Sequence, residues 1–259
     1  MKAKKHLGQH FLVDQSIAQR IVGSLIDSDE VKNIVEVGPG KGMLTKYLLQ
    51  LDQEVVMIDA DIDMVEHLKQ QYPVHTERII HANFLKCNLP QIVPHAFSLI
   101  GNFPYYISTQ IVFKMLDNRT LITQMVGMFQ KEVATRIVSG HGSKAYGILS
   151  VLVQVFYQAE YLFSVKPGSF SPPPKVTSAV IRLTRKNGVD MAPEVEKRLR
   201  QVVKMAFNQR RKMLRNSLKS ILPKPFDPTH PFLTRRPEQM SIDDFLELNR
   251  IIYLYANES

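Results

Sequence analysis

The residues best suited to chemistry lie at positions 100–105, where an amide, a proline and an aromatic ring follow one another closely as Asn102, Pro104 and Tyr105. The side-chain oxygen of Asn102 can accept a hydrogen bond. Pro104 stiffens the turn and favours an extended conformation at Phe103, so that the Phe103 carbonyl can act as a second acceptor. Tyr105 offers a face on which a base can stack. We therefore predict that this turn grips the exocyclic amine of a planar base.

A plain turn is the alternative, because Asn and Pro are ordinary turn formers and an N-x-P-Y string alone does not separate the two interpretations. An apolar run at residues 97–100 comes directly before the turn and predicts a buried strand. The strand would end where the amide and the ring begin. A second motif upstream bears on the choice.

This second motif is the glycine loop, residues 36–42, in which glycine occupies alternate positions at 38, 40 and 42. An apolar run at residues 34–37 precedes the loop, and a helical pattern of apolar residues follows it to residue 51. Strand, glycine loop and helix are the cofactor-binding start of a doubly wound α/β sheet. Glycine permits tight turning and lets a ligand approach the backbone.

Three ligands compete for such a loop. The spacing G-x-x-x-x-G-K-[ST] of a Walker phosphate loop is absent, and a dinucleotide fingerprint needs glycine where Met43 stands. The third ligand is S-adenosylmethionine, around whose amino acid and ribose a G-x-G-x-G turn can curve. Glu36 fits this option, because its carboxylate could lie near the cationic amino acid portion.

Acidic and amide residues end the next two predicted strands. Residues 54–58 lead to Asp59, seventeen residues after Gly42, and an acid there can accept from both ribose hydroxyls. A helix N-cap is the alternative role for Asp59, although Asp61 could cap that helix equally well. Residues 78–81 form a third predicted strand before Asn83.

Six blocks along the chain, in the same order, resemble the KsgA-type ribosomal RNA small-subunit adenine dimethyltransferases, and the likeness covers nearly the whole sequence. The blocks are residues 4–12, 36–42, 102–105, 129–134, 170–180 and 206–218. The resemblance implies an α/β, Rossmann-like S-adenosylmethionine-dependent methyltransferase domain followed by a small all-helical C-terminal domain. It also implies a reaction on the 6-amino nitrogen of adenine.

The expected site residues follow from these motifs and from the resemblance. The cofactor contacts that we expect are Gln9, His10, Leu12, Glu36, Gly38, Gly40, Asp59, Asn83 and Asn102. The target-base and catalytic residues are Asn102, Phe103, Pro104 and Tyr105, with Phe170 as candidate for the second face of the base. A core aromatic is the alternative for Phe170.

Three positions depart from the family pattern. His10 stands where the family usually has Asn, Asn83 where it has Asp, and Phe103 where it has Leu. Asn83 can still accept from the cofactor's adenine amine, without charge assistance. Phe103 would act through its backbone.

The predicted chemistry needs positioning more than a strong base. The 6-amino nitrogen of adenine is a poor nucleophile, and two acceptors holding its hydrogens would aim its lone pair at the methyl group. The sulfonium is already a good leaving group, so preorganisation would supply most of the rate. A stacked adenine is out of reach, so the target must be flipped or unpaired.

Charge supports a polyanionic partner. The formal net charge is +9, and residues 197–219 hold nine Lys or Arg and no acid. A solvated helix face is the usual explanation of short basic runs, whereas a one-sign stretch this long favours a polyanion partner. The expected RNA contacts are Arg210, Arg211, Lys212 and Arg215.

The chain is predicted to have two domains, a catalytic domain at 1–187 and a helical RNA-docking domain at 188–259, separated by the turn-rich residues 186–188. The further predicted elements are a helix from Ser108, strands at 125–129, 161–165 and 176–183, and helices at 61–71, 131–139, 193–207, 209–221 and after Ser241. No signal peptide and no apolar run of membrane-spanning length is visible.

The single cysteine, Cys87, suits a reducing cytoplasm and has no His or Cys at metal-ligand spacing, so neither a disulfide nor a metal site is expected. A cytoplasmic monomer is the default, with small-subunit (16S) ribosomal RNA in a 30S assembly intermediate as partner. Two rivals stay open: an Erm-like large-subunit or DNA adenine methyltransferase, and a ribosome-assembly factor whose binding outweighs its catalysis.

Overall fold

The computed structural model describes residues 9–26, 31–223, 227 and 229–257. By their internal contacts these residues form two compact units. Unit 1 comprises the described residues up to Ala134 together with Gln158–Arg185, and unit 2 comprises Thr135–Tyr157 and the described residues from Lys186 onward. The domain boundary at residue 187 stays a prediction.

Unit 1 is built around strands that alternate with helices. Its strands are β1 (Phe11–Leu12), β2 (Asn33–Val37), β3 (Glu54–Asp59), β4 (Ile79–His81), β5 (Phe97–Asn102), β6 (Ile122–Gln130), β7 (Tyr157–Val165), β8 (Phe170–Ser171) and β9 (Ser178–Arg185). The first residue of β7 is grouped with unit 2. The helices of unit 1 are α1 (Gln15–Val22), α2 (Thr45–Leu48), α3 (Ile62–Gln71), α4 (Leu89–Ile92), α5 (Ser108–Asp117) and the start of α6 (Lys131–Val138). The predicted α/β class is therefore confirmed.

Seven of these strands form one mixed sheet in the order β4-β3-β2-β5-β6-β9-β7. The five strands from β4 to β6 are parallel, and β9 pairs with β6 in the antiparallel sense. The central strands β2 and β5 are almost continuously buried, as is expected of parallel strands covered on both faces. Parallel pairing brings the carboxyl ends of β2, β3 and β5 to one edge, where ligands of doubly wound sheets bind.

A second, two-stranded sheet fixes the N-terminal segment. Strand β1 pairs with β8, with Phe11 opposite Ser171 and Leu12 opposite Phe170. Helix α1 follows directly, with Asp14 as its N-cap accepting from the backbone of Ser16 and Ile17. The sequence patterns predicted neither element.

Two glycines make room for the ring of Phe103 at the carboxyl ends of β5 and β6. A Cβ on Gly127 would lie 2.3 Å from that ring, and a Cβ on Gly101 would lie 2.5 Å from the carbonyl oxygen of Val37. Any side chain at either position would displace Phe103 or the strand. The turn that follows β5 is thus set by close packing behind it.

Unit 2 is helical. Beyond the end of α6 it contains α7 (Ile148–Phe156), α8 (Pro193–Asn208), α9 (Leu214–Ser217) and α10 (Ile242–Asn257). The ring of Phe207 lies 5.7 Å from that of Tyr146 and 5.9 Å from that of Phe245, centroid to centroid. Ser241 caps α10 as predicted, since its Oγ accepts from the Asp244 backbone at 3.0 Å.

The helix predicted at residues 209–221 is wrong. Only α9 is helical there, because the backbone N–H groups of Leu214 and Arg215 donate to the carbonyls of Arg235 and Leu233 instead of to helix neighbours. This tertiary pairing overrides the helical pattern. Helix α7 was not predicted, since its nearly continuous apolar sequence does not separate a buried helix from a strand.

Among the described helices, none has both the length and the apolar character that crossing a membrane requires.

Candidate functional site

A cavity of about 300 Å³ opens at the carboxyl ends of β2, β3 and β5. It lies within unit 1 and brings together all the predicted cofactor residues and the target-base turn. The predicted residues that line it are Gln9, His10, Leu12, Glu36, Gly38, Gly40, Asp59, Asn83, Asn102, Phe103, Pro104 and Tyr105.

The glycine loop has a backbone shape that side chains disfavour. Gly38 and Gly40 have φ angles of +68° and +55°, in the left-handed region where glycine has no Cβ penalty. A Cβ on Gly40 would also lie 3.1 Å from the ring of Phe11. The loop therefore lies close to its neighbours and leaves its backbone open toward the cavity.

Glu36 is buried at the end of β2, with 1% of its surface exposed. The hydroxyl of Thr45 donates to Glu36 Oε2 at 2.6 Å. Burial, followed by the nearby charge of Asp59, raises the pKa of Glu36 to about 8. The carboxyl is therefore mainly neutral at pH 7, and a cation bound beside it would favour its ionised form.

Asp59 braces the glycine loop. Its Oδ2 accepts from the backbone N–H of Gly40 at 3.1 Å, and its Oδ1 accepts from that of Asp61 at 2.9 Å. Helix α3 is capped by Asp61, whose Oδ1 accepts from Asp63, so Asp59 is not the N-cap. Burial raises the pKa of Asp59. Each carboxylate oxygen keeps another acceptor position that could receive a ribose hydroxyl.

Two amides complete the cofactor side of the cavity. Gln9 donates through Nε2 to Asp61 Oδ2 at 2.8 Å, which ties the N-terminal segment to the start of α3. Asn83 Oδ1 accepts from the backbone of Leu85 at 3.0 Å. This bond orients the Asn83 carbonyl oxygen, which has a second acceptor position.

The Asn102 amide is oriented by one hydrogen bond. Its Nδ2 donates to the backbone carbonyl of His10 at 2.9 Å, so the other side of the amide must be Oδ1. Within the described part of the chain, no hydrogen bond reaches Asn102 Oδ1 or the Phe103 carbonyl. The Phe103 ring is buried edge-on against Phe129, with centroids 5.3 Å apart. Phe103 can therefore offer its backbone only.

Tyr105 is fixed at both its hydroxyl and its ring. The hydroxyl shares a hydrogen bond of 2.6 Å with Ser178, and burial raises the pKa of Tyr105. The ring stacks with that of His10 at 5.6 Å between centroids and 26° between planes. His10 Nδ1 lies 2.9 Å from the Pro172 carbonyl and must be the donor, because the carbonyl can only accept.

Phe170 does not line the cavity, and its role as the second stacking face stays a prediction. Its ring is 3% exposed and belongs to the hydrophobic core together with Leu12, its partner between β1 and β8. The pairing of these two short strands turns the ring inward. The alternative of a core aromatic fits this position.

Residues 1–247 match the family model described as ribosomal RNA adenine dimethylase. This chain belongs to the ribosomal RNA adenine dimethylase family.

Members of this family include close relatives over the full length. The chain is 49% identical over 253 residues to the ribosomal RNA small subunit methyltransferase A of Cytophaga hutchinsonii, covering 97% of this chain and 98% of the relative. It is also 49% identical over 255 residues to the protein of the same name from Porphyromonas gingivalis, with coverage of 97% and 98%.

Solved structures share the adenine dimethylase fold. A dimethyladenosine transferase from Plasmodium falciparum superposes with a TM-score of 0.82 at 24% identity, covering 95% of this chain and 98% of that chain. The 23S rRNA methyltransferase ErmE gives a TM-score of 0.70 at 24% identity, with coverage of 92% and 98%. These two likenesses show the fold alone.

In unit 2 of this adenine dimethylase the predicted RNA contacts divide into two groups. Arg210 pairs with Glu238 at 2.9 Å and donates to the Ser143 carbonyl at 3.1 Å. Its guanidinium thus holds two segments of unit 2 together, and its role as an RNA contact stays a prediction. Arg211, Lys212 and Arg215 are exposed.

Sequence patterns missed several residues that position the adenine dimethylase site. Thr45, Ser178 and Pro172 hold Glu36, Tyr105 and His10 respectively. Ser178 lies 73 residues from Tyr105, so no local spacing connects the two. The block at residues 170–180 was the only signal that this region belongs beside the turn.

Proposed function

We propose that this chain transfers methyl groups from S-adenosylmethionine to the 6-amino nitrogen of adenines in small-subunit (16S) ribosomal RNA, giving dimethyladenosine. The observation that carries the proposal is the Asn102 amide. Its bond to the His10 carbonyl leaves Oδ1 as a directed acceptor, in the same cavity as the glycine loop. Membership of the adenine dimethylase family and the small-subunit relatives support the same reaction.

The residues of the cavity fit S-adenosylmethionine. The buried Glu36 carboxyl would ionise beside the ammonium of the amino acid portion, and Asp59 would accept from the ribose hydroxyls. Asn83 would accept from the adenine amine through Oδ1. When bound, this cofactor supplies an electrophilic methyl group on a sulfonium that is a good leaving group.

The chain's own part in the reaction is to orient the amine. Asn102 Oδ1 and the Phe103 carbonyl would each accept one hydrogen of the 6-amino group, which favours a tetrahedral nitrogen whose lone pair points at the methyl group. Preorganised acceptors in a fixed turn have no reorganisation to undergo during transfer. After each N–C bond forms, the nitrogen releases its excess proton to water. In the second methylation the single N–H that remains donates to one of the two acceptors.

The target base would enter unstacked and lie against Tyr105. Because the His10 ring now occupies a face of Tyr105, either the free face receives the base or His10 moves aside. Exposed Arg211, Lys212 and Arg215 of unit 2 would contact phosphates. We further propose a 30S assembly intermediate as substrate and a cytoplasmic monomer as the working form.

Methyl transfer to purified nucleic acids tests this function. Labelled S-adenosylmethionine is offered with small ribosomal subunits that lack adenine dimethylation, with large subunits and naked DNA in parallel. We expect label in the small subunit only. Label in large subunits or DNA would overturn the proposed target. No label anywhere, with cofactor binding intact, would overturn catalysis and favour a binding factor.

The RNA contact of unit 2 is tested by one charge reversal and a matched control. Lys212→Glu removes an exposed cation from the basic stretch, whereas Lys32→Glu makes the same change at an exposed position before β2. We expect Lys212→Glu to weaken small-subunit binding and to reduce its salt dependence by about one released counterion. Equal salt slopes for the two variants would exclude the Lys212 contact.

A further inference from the structure

Tyr106, the neighbour of Tyr105, points in a different direction. It is 58% exposed, whereas the Tyr105 hydroxyl is held inside by Ser178. The two lie in a 3₁₀ turn, Tyr105–Ile107, in which successive side chains diverge by about a third of a turn. One aromatic ring therefore faces the interior of the site and the next faces solvent.

The Tyr106 ring belongs to the same cavity as the catalytic turn. Tyr106 lines that cavity together with Gln110, which is exposed near the start of α5. Throughout the described ranges, no ring stacking, cation–π contact or side-chain hydrogen bond involves Tyr106. Its ring is therefore available at the mouth through which a target base would enter.

Two exposed lysines belong to segments beside the Tyr105–Ser178 contact. Lys131 and Lys175 are exposed, and the Lys131 backbone donates to the Thr177 carbonyl at 2.9 Å. Thr177 precedes Ser178, the partner of Tyr105, so both lysines belong to segments that meet beside the turn. Exposed aromatic rings and cations on one face of a protein are the usual composition of a site for single-stranded nucleic acid.

We propose that Tyr106 stacks on the base of the nucleotide adjoining the target adenine and so holds the flipped RNA in register. This inference rests on the proposed function and deepens it. Flipping the target leaves its neighbour without a stacking partner. The Tyr106 ring replaces that partner, which makes Tyr106 a positioning residue that does not touch the reacting amine.

The test compares Tyr106→Ala with Tyr106→Phe, which keeps the ring and removes the hydroxyl. Tyr161→Ala is the matched control, because Tyr161 is an exposed tyrosine of unit 1 outside the cavity lining. We expect Tyr106→Ala to raise KM for undimethylated small subunits roughly tenfold, within the range of base–aromatic stacking. Tyr106→Phe and Tyr161→Ala should both keep the wild-type KM.

A second readout does not depend on methyl transfer. A single-stranded RNA oligonucleotide carrying fluorescent 2-aminopurine beside one adenine is titrated with each variant, with the probe on either side in turn. Stacking on Tyr106 predicts quenching by wild type and Tyr106→Phe on one side, and its loss in Tyr106→Ala.

The two readouts separate failure of the inference from failure of the proposed function. A wild-type chain that transfers no methyl group yet shows the Tyr106-dependent quenching would contradict the function and support the stacking role. Unchanged KM and unchanged quenching in Tyr106→Ala would overturn the stacking role. Equal defects in Tyr106→Ala and Tyr106→Phe would overturn it too, because the hydroxyl and not the ring would then be responsible.

Discussion

The two halves of the cavity differ in how their polar atoms are used. On the glycine-loop side Glu36, Asp59 and Asn83 each accept from a hydroxyl or a backbone N–H of unit 1. On the turn side the Asn102 amide uses its N–H to reach His10 and leaves its oxygen available. The acceptors of the first half each have an internal partner already, whereas the second half presents an acceptor without one among the described residues.

This difference assigns a separate task to each half. Groups that are already held by internal hydrogen bonds form a preorganised binding site, so their replacement should change cofactor affinity. An acceptor without an internal partner that receives the substrate amine should act in turnover, because its interaction strengthens as the nitrogen becomes tetrahedral. Each of the following variants tests one side of that division.

Asn102→Ala should have the largest effect. We expect kcat to fall by roughly 10²- to 10³-fold, as when one preorganised hydrogen-bonding group is lost from a catalytic site. Cofactor affinity should stay within about threefold, because the interactions of the glycine-loop side are unchanged. Steady-state kinetics and calorimetric titration with S-adenosylmethionine measure the two quantities.

Asn118→Ala is the matched control for that variant. Its Nδ2 also donates to a backbone carbonyl, that of Lys114, at 2.9 Å, but Asn118 does not line the cavity. It should keep wild-type kcat. Similar losses of kcat in the two variants would contradict a specific role of Asn102 in turnover. A cofactor affinity that falls together with kcat in Asn102→Ala would contradict the separation of turnover from cofactor binding.

Glu36→Gln tests whether the raised pKa of the buried Glu36 carboxyl makes the stability of the protein depend on pH. The folded pKa of about 8 exceeds the ordinary 4.5, so the unfolded chain loses the Glu36 proton first as pH rises. The stability from the neutral carboxyl is complete below pH 4.5 and lost on passing pH 8. Relative to Glu36→Gln, wild type should therefore lose about 3 kcal/mol of unfolding free energy between pH 5 and 8.

Urea denaturation of both proteins across this pH range measures the difference. Titrating groups that do not interact with Glu36 are common to the two chains and cancel in the comparison. Parallel stability profiles would show that Glu36 ionises normally in the folded chain and would remove the neutral carboxyl from the account.

Asp59→Asn should act on affinity. A carboxylate accepts from Gly40 on one oxygen and from Asp61 on the other, whereas an amide has a single oxygen. We expect the Kd for S-adenosylmethionine to rise about thirtyfold, the scale of one charge-assisted hydrogen bond. At saturating cofactor kcat should stay within about threefold.

Calorimetry checks this result, with Asp52→Asn as a control on an exposed acid outside the cavity lining. A loss of kcat at saturating cofactor, with Kd unchanged, would show that Asp59 acts in turnover and not in cofactor binding.

His10→Asn should have the smallest effect. It installs the residue usual in the family and removes the ring that stacks on Tyr105, but keeps the backbone carbonyl that orients Asn102. We expect kcat and the cofactor Kd to change by less than about threefold. A loss as large as that of Asn102→Ala would mean that the ring, and not the carbonyl, organises the turn side.

Sequence reasoning performed best where one short segment determines its own shape. The glycine loop was recognisable because positive φ angles at Gly38 and Gly40 require glycine locally. Asp59 and Asp61 stayed interchangeable until the structure showed Asp61 in the capping position of α3, because the cap depends on backbone geometry and not on residue type.

Long-range contacts account for what could not be predicted. Phe170 is buried by pairing with Leu12, and the helix pattern at residues 209–221 is interrupted by hydrogen bonds to Leu233 and Arg235. The sequence did not distinguish Arg210 from its basic neighbours, although, within the described residues, Arg210 alone of the four predicted RNA contacts is shown paired, with Glu238. Such partners lie far away in sequence, so no local sequence pattern predicts them.

Nucleoside analysis of small-subunit RNA after reaction tests the central claim most directly. Undimethylated small subunits are incubated with S-adenosylmethionine and either wild type or Asn102→Ala, and the digested RNA is resolved by mass spectrometry. The account predicts N6,N6-dimethyladenosine from wild type and almost none from Asn102→Ala that still binds the cofactor. A different methylated nucleoside from wild type, or a wild-type yield of dimethyladenosine from Asn102→Ala, would contradict it.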